Sequence, residues 1–94
     1  MNKYFIYILT NSQRSSFYVW ITDRLKYRLE EHKANKIEWY SIKYKCRYLV
    51  FTEQRSDEQA AIARHTEING WKKQRQLELI MEKNPRLDEL QLGY

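Results

Sequence analysis

Apolar side chains come in short bursts separated by polar punctuation, and the period of each burst indicates the element it builds. Residues 4–10, Tyr-Phe-Ile-Tyr-Ile-Leu-Thr, form a β-branched and aromatic run that suits a strand covered on both faces. The polar residues 11–16 read as a turn and residues 17–22, Phe-Tyr-Val-Trp-Ile-Thr, repeat the strand signal. Together they predict an antiparallel hairpin with a loop of about six residues. At Thr22-Asp23 the period changes: either residue can cap a helix, and Leu25, Leu29 and His32 follow at spacings of four and three, on one face. That helix is expected to reach about residue 36. Residues 37–45 mix aromatic and basic side chains, with room for a short helical turn, and residues 47–53 supply a third strand.

Ser56, followed by Gln59, resembles a capping box at the start of a second helix. Ala61, His65 and Ile68 share a face of it, and Asn69-Gly70 provide the stop. A third helix over residues 72–82 presents Leu77, Ile80 and Met81 on one side. Asn84-Pro85 ends it, and the tail beyond Leu87 is expected to be loosely held. The order ββαβαα implies an α+β domain, a small three-stranded, mostly antiparallel sheet flanked by three helices. With 94 residues the chain is sized for one domain, with its core over about residues 3–83 and a C-terminal tail over 84–94.

Composition adds a constraint and a direction. Hydrophobic residues make up 43% of the chain and aromatic residues 15%, which excludes a disordered polypeptide. Only two Gly and one Pro occur, so few backbone positions are free to adopt positive φ without strain. Seventeen Lys and Arg against twelve Asp and Glu give a net charge of +5, a balance that favours polyanionic partners. Lys33, Lys36, Lys43, Lys45, Arg47, Lys72 and Lys73 are the candidates for a phosphate-tracking surface, with DNA as a weak, salt-sensitive partner. Glu30, Glu31 and Glu67 interrupt that set, so a solvated mixed-charge face is the alternative. No apolar run approaches the ~18 residues of a membrane-spanning helix, and the N-terminus lacks a signal-peptide layout. A cytoplasmic monomer with no membrane partner is therefore expected. Cys46 is the only cysteine, which rules out an internal disulfide. Its neighbours Lys45 and Arg47 favour a lowered thiol pKa, while the plainer expectation is a half-buried strand residue.

Phe5-Ile6-Tyr7, Tyr18-Val19-Trp20, the segment Thr22-Asp23-Arg24-Leu25-Lys26-Tyr27-Arg28-Leu29-Glu30-Glu31-His32, the strand Tyr48-Leu49-Val50-Phe51 and the pieces Ala61-Ile62-Ala63-Arg64-His65, Ile68-Asn69-Gly70-Trp71 and Asn84-Pro85 follow one another in a telling order. In that order and spacing the chain resembles the GIY-YIG nuclease superfamily, and within it the short stand-alone bacterial members. The resemblance covers residues 3 to about 90. It implies the fold just described and hydrolysis of a nucleic-acid phosphodiester with one divalent metal, Mg²⁺ or Mn²⁺. It also implies a site in which Tyr7 helps activate water, Tyr18 lines the cleft, Arg28 stabilises charge on the phosphate and His32 is a hydrogen-bonding neighbour. These types suit the chemistry: a guanidinium fork matches phosphate oxygens, and a hard dication lowers the pKa of its bound water.

Two positions depart from the family pattern. The metal-binding Glu falls at position 65, which is His65, and the Gly closing the second motif falls at position 20, which is Trp20. An imidazole brings no negative charge to Mg²⁺, although it accepts Zn²⁺, Mn²⁺ or Ni²⁺. Glu67 lies about 200° round the helix from position 65 and Glu58 about 10 Å along its axis, so neither replaces the ligand. An indole at position 20 is expected to occupy the place of the phosphate or distort the strand. Trp39 stands where short relatives often carry Gly, and core packing is the plainer expectation for both tryptophans. The vestigial site is thus expected to hold no metal and to cleave weakly or not at all. The alternatives are a working metal-dependent endonuclease, a natural or engineered sequence selected for folding alone, and a protein-interaction module using Trp20, Trp39 and Tyr40.

Overall fold

The computed structural model describes residues 3–34 and 45–91. Strands β1 (Tyr4–Thr10), β2 (Phe17–Thr22) and β3 (Tyr48–Arg55) alternate with helices α1 (Leu25–Lys33), α2 (Glu58–Asn69) and α3 (Lys73–Lys83) in the order expected, ββαβαα. The sheet is antiparallel throughout, with spatial order β2-β1-β3. β1 is central, and Ile6, Tyr7, Ile8 and Leu9 are consecutively buried, as a strand covered on both faces requires. Residue parity separates two cores. Ile6, Ile8, Phe17 and Val19 face Ala61 and Ile68 of α2 and Ile80 of α3. Tyr7, Leu9 and Tyr18 face Leu25 and Leu29 of α1. Between Ile8 and Leu9 the β1–β3 register shifts by one residue, a bulge that puts both Val50 and Phe51 into the α2–α3 core.

Several local expectations are corrected. α1 ends at Lys33 rather than near residue 36, and the connection over residues 37–44 lies outside the described residues. The cap of α2 is Asp57, whose Oδ2 accepts the Ala60 N–H at 3.2 Å, so the Ser56–Gln59 capping box does not form. On α3 the buried residues are Gln76 and Ile80, whereas Met81 is 45% exposed. Gln76 is buried because its Nε2 donates to the Ile68 carbonyl at 2.9 Å, fastening α3 to the end of α2. A polar residue with a guaranteed partner thus displaces an apolar one from the seam.

The tail is also held as far as Leu90. Buried Asn84 donates to the carbonyls of Val50 and Asp88 at 3.1 and 2.9 Å and accepts the Asp88 N–H, and the Leu90 N–H donates to Leu49 at 2.8 Å. Glycine scarcity does not spare the backbone from left-handed conformations. Arg14, Lys45 and Leu87 adopt φ of 57°, 56° and 52°, while Gly70, which ends α2, stays at −82°. Arg14 and Leu87 are joined, since Arg14 Nε donates to the Leu87 carbonyl at 3.1 Å. Each left-handed L-residue costs about 1–2 kcal/mol.

Two outcomes follow. Lys45→Gly should raise stability by about 0.5–1 kcal/mol by relieving strain at an exposed position, whereas Leu87→Gly should lower it by roughly 2 kcal/mol because the buried side chain outweighs the relief; urea midpoints of the two variants should move in opposite directions. Asn84→Ala should cost about 2 kcal/mol by orphaning the Val50 carbonyl, and amide hydrogen exchange at Leu90 should quicken before global unfolding if the tail depends on it.

Candidate functional site

The residues of interest lie along one face of β1 and β2. Parity sends Tyr7, Tyr18 and Trp20 to the α1 side, and the register places Trp20 directly opposite Tyr7. Tyr7 is fully buried and Tyr18 is 7% exposed, but Trp20 is 38% exposed, so it does not pack in the core. Its ring stacks on Tyr18 with centroids 6.2 Å apart and planes 26° apart. Nor does it distort the strand, because the β1–β2 register runs unbroken from Thr10–Phe17 to Phe5–Thr22.

His65 reaches this row from α2. Its ring meets Trp20 edge-to-face, 4.9 Å between centroids at 82°, and its Nε2 lies 3.1 Å from the Val19 carbonyl oxygen. A carbonyl only accepts, so Nε2 carries a proton there and Nδ1 is the one ring nitrogen left with a lone pair when the ring is neutral. β2 is an edge strand, and this contact is made at its exposed side chain Trp20 and its backbone at Val19.

Arg28 is carried by α1. Its guanidinium, 40% exposed, pairs with Glu31 Oε1 at 3.5 Å one helical turn on. Both line an open cleft of about 320 Å³ with Thr22, Asp23, Arg24 and Tyr27. A second hollow of about 440 Å³, bounded by Phe5, Leu25, Lys26 and Glu30, shares Asp23, Arg24 and Tyr27 with it, and Tyr27 stands 56% exposed between the two. His32 lies in the last turn of α1, one turn beyond Arg28.

A family model described as the GIY-YIG catalytic domain matches residues 3–78. The chain belongs to the GIY-YIG family. Among solved structures, the solution NMR structure of the UPF0213 protein BH0048 from Bacillus halodurans superposes on this GIY-YIG chain with a TM-score of 0.57, over 93% of this chain and 92% of that one. At 20% identity the likeness is one of fold. No curated protein sequence matches it.

In this GIY-YIG domain Tyr7, Tyr18 and His65 are gathered around Trp20, and Arg28 occupies the neighbouring cleft. The sequence does not mark Glu31, Thr22 or Tyr27 as site residues; the i,i+3 spacing of Arg28 and Glu31 is the available signal for the first of them. Among the described residues, no group of three or more His, Cys, Asp or Glu side chains is arranged to hold a metal ion. Of the basic candidates, Lys36 and Lys43 lie outside the described residues, as do Trp39 and Tyr40, and Lys33 ends α1. Arg47 donates its N–H to Thr10 at 3.1 Å, Lys72 precedes α3, and Lys73 Nζ donates to the Ser15 carbonyl at 2.5 Å.

A separate network organises the far side of α2. Arg64 grips Glu53 with two nitrogens, at 2.7 and 3.3 Å, and reaches Glu67 at 2.7 Å. The Glu53 hydrogen bond holds the guanidinium more firmly charged than usual. Trp71 lies between Arg64 and Arg75, whose guanidinium carbons stand 5.5 and 4.6 Å from its ring centroid.

Cys46 is neither the half-buried strand residue expected nor a thiol activated by Lys45 and Arg47. It is fully buried just before β3, and burial pushes its pKa up to about 11. The folded protein therefore holds the proton more tightly than the unfolded chain, whose thiol titrates near 9.0, so stability should fall as pH rises from about 9 to about 11. Guanidinium midpoints measured across that window should flatten in Cys46→Ala relative to the parent; equal slopes would remove the thiol from the account.

Proposed function

We propose that this chain is a GIY-YIG-fold domain in which phosphodiester cleavage is absent or very weak and salt-sensitive binding to nucleic acid is retained. The observation that carries this reading is the pairing of His65 with Trp20 and the Val19 carbonyl, at the two positions where the family pattern calls for a carboxylate ligand and a glycine. Magnesium is a hard cation that takes oxygen ligands. The donor set at position 65 is one imidazole whose Nε2 proton is committed to a backbone carbonyl. Glu67, the carboxylate two residues on, is bound to Arg64. These residues do not fit a hard dication.

Access points the same way. A general base must reach the proton it removes, directly or through one water. Tyr7 is sealed from solvent, and the indole beside it stacks over Tyr18. Arg28 is different, exposed in an open cleft, and so remains able to meet a phosphate. That cleft is the observation that favours the second reading, a working nuclease in which Arg28 and Glu31 carry residual catalysis.

Plasmid nicking with Mg²⁺, Mn²⁺ and Zn²⁺ separates the two. The expected outcome is no cleavage above background with any of them, unchanged by Arg28→Ala. Metal-dependent cleavage that Arg28→Ala abolishes would overturn the proposal. The double variant Trp20→Gly/His65→Glu should gain Mg²⁺-dependent nicking of at least about tenfold, the usual scale for restoring one electrostatic element of a phosphoryl site.

A further inference from the structure

The end of the sheet that carries the β1–β2 loop gathers cations from three separate stretches of chain. Arg14 is in that loop. Cys46, between Lys45 and Arg47, donates its thiol proton to the Ser16 carbonyl at 3.7 Å, and the Arg47 N–H donates to Thr10, so this segment lies against the loop. Lys73, next to Lys72, reaches the Ser15 carbonyl. The stretches that meet here contain no carboxylate: the first acid in the chain is Asp23, none occurs over residues 45–52, and none over residues 68–77. Asp88 follows Leu87, the residue that Arg14 holds, and Glu53, Glu67 and Glu78 border the other two stretches.

Position alone does not make charge available, but the partners here do. Arg14 binds the carbonyls of Asn11, Ser12 and Leu87, and Lys73 that of Ser15; these acceptors are neutral, so among the described residues neither charge is paired with a carboxylate. Arg28, Arg55 and Arg64, by contrast, sit on carboxylates. Lys72 and Lys73 also stand at the start of α3, where the helix dipole disfavours cations, and its first turn holds no acid to offset them. Arg14 and Lys45 keep long basic side chains at left-handed positions that glycine would occupy without strain.

We propose that this loop end is a docking surface for double-stranded nucleic acid, gripped through its phosphates, and that it is separate from the Trp20–His65 centre. This rests on the reading of the chain as nucleic-acid-binding and names the face that does it. Single strands are held largely by bases stacking on free aromatic rings. Among the described residues at this end, the rings of Tyr48 and Trp71 are taken: Arg14 lies 5.0 Å over Tyr48, and Trp71 is flanked by Arg64 and Arg75. Thr22, which lines the Arg28 cleft, is at the opposite end of β2, roughly 17 Å from Phe17 at the usual rise per residue.

The test uses fluorescence anisotropy of a labelled DNA duplex of roughly 20 base pairs, titrated from about 50 to 200 mM salt. Lys45→Gln/Lys72→Gln should weaken binding by about tenfold and lower the slope of log affinity against log salt by about 1.8. Lys3→Gln/Lys26→Gln, with the same loss of charge at the other end, should stay within about twofold. A single strand of equal length should bind more weakly. Parent-like binding by the Lys45/Lys72 variant, an equal loss in the Lys3/Lys26 variant or in Arg28→Gln, or a preference for the single strand would each overturn the proposal while leaving nucleic-acid binding intact. No duplex binding by the parent protein at low salt would overturn both.

Discussion

Strand β1 has to be covered on both faces at once, and one short sheet leaves a single way of doing it. Ile6, Tyr7, Ile8 and Leu9 are consecutively buried, so α1 must close one side and α2 with α3 the other. Parity then decides which chemistry goes where. Tyr7 and its cross-strand neighbours Tyr18 and Trp20 go to the α1 side, while position 65 rides on a helix packed against the opposite side. A side chain at 65 meets the tyrosine row only by reaching round β2, which is what His65 does through Val19 and Trp20. Any group held between these elements is held at a seam, by side chains arriving from two faces.

The same covering forces the tail into the structure. Asn84 leaves α3 and spends its amide on β3 and on the returning chain, and Leu90 adds a backbone bond to Leu49. The turn needed for that return lands on Leu87 in a left-handed conformation, and the loop that meets it lands on Arg14 in another. With Gly absent from both places, the strain of each is offset by the other through the Arg14–Leu87 hydrogen bond and by Arg14 over Tyr48.

The sequence made most of this architecture legible because element order and strand parity are carried by apolar periodicity, which six well-separated runs display clearly. What it did not disclose depended on choices between near-equal local options or on contacts distant in the chain. Ser56 and Asp57 are both able caps, and only the backbone path selects Asp57. Met81 and Gln76 compete for the inner face of α3, and the Ile68 carbonyl at the end of α2, which accepts the Gln76 amide, selects the glutamine. The held tail rests on bonds spanning about 34 to 73 residues, which no local pattern encodes. For the site, periodicity placed Tyr7, Tyr18 and Arg28 on the right elements, but the exposure of Trp20 depends on its being on an edge strand, a fact of sheet order that a reading of runs does not supply.

Binding and cleavage draw on different physics, and this separates their fates in such a fold. Cleavage needs ligand atoms fixed to within a fraction of an ångström around a charge, so it is sensitive to a single substitution at the centre. Phosphate attraction is long-ranged and nearly additive, shared among side chains that need only be near one another. At the loop end Arg14, Lys45 and the Lys72–Lys73 pair come from different stretches, and Arg14 and Lys73 are seated by backbone carbonyls rather than by one another. Losing any one leaves the remaining field largely in place. On the proposed reading, a GIY-YIG scaffold with Trp20 and His65 at its centre would keep a route to a polyanion that does not pass through that centre.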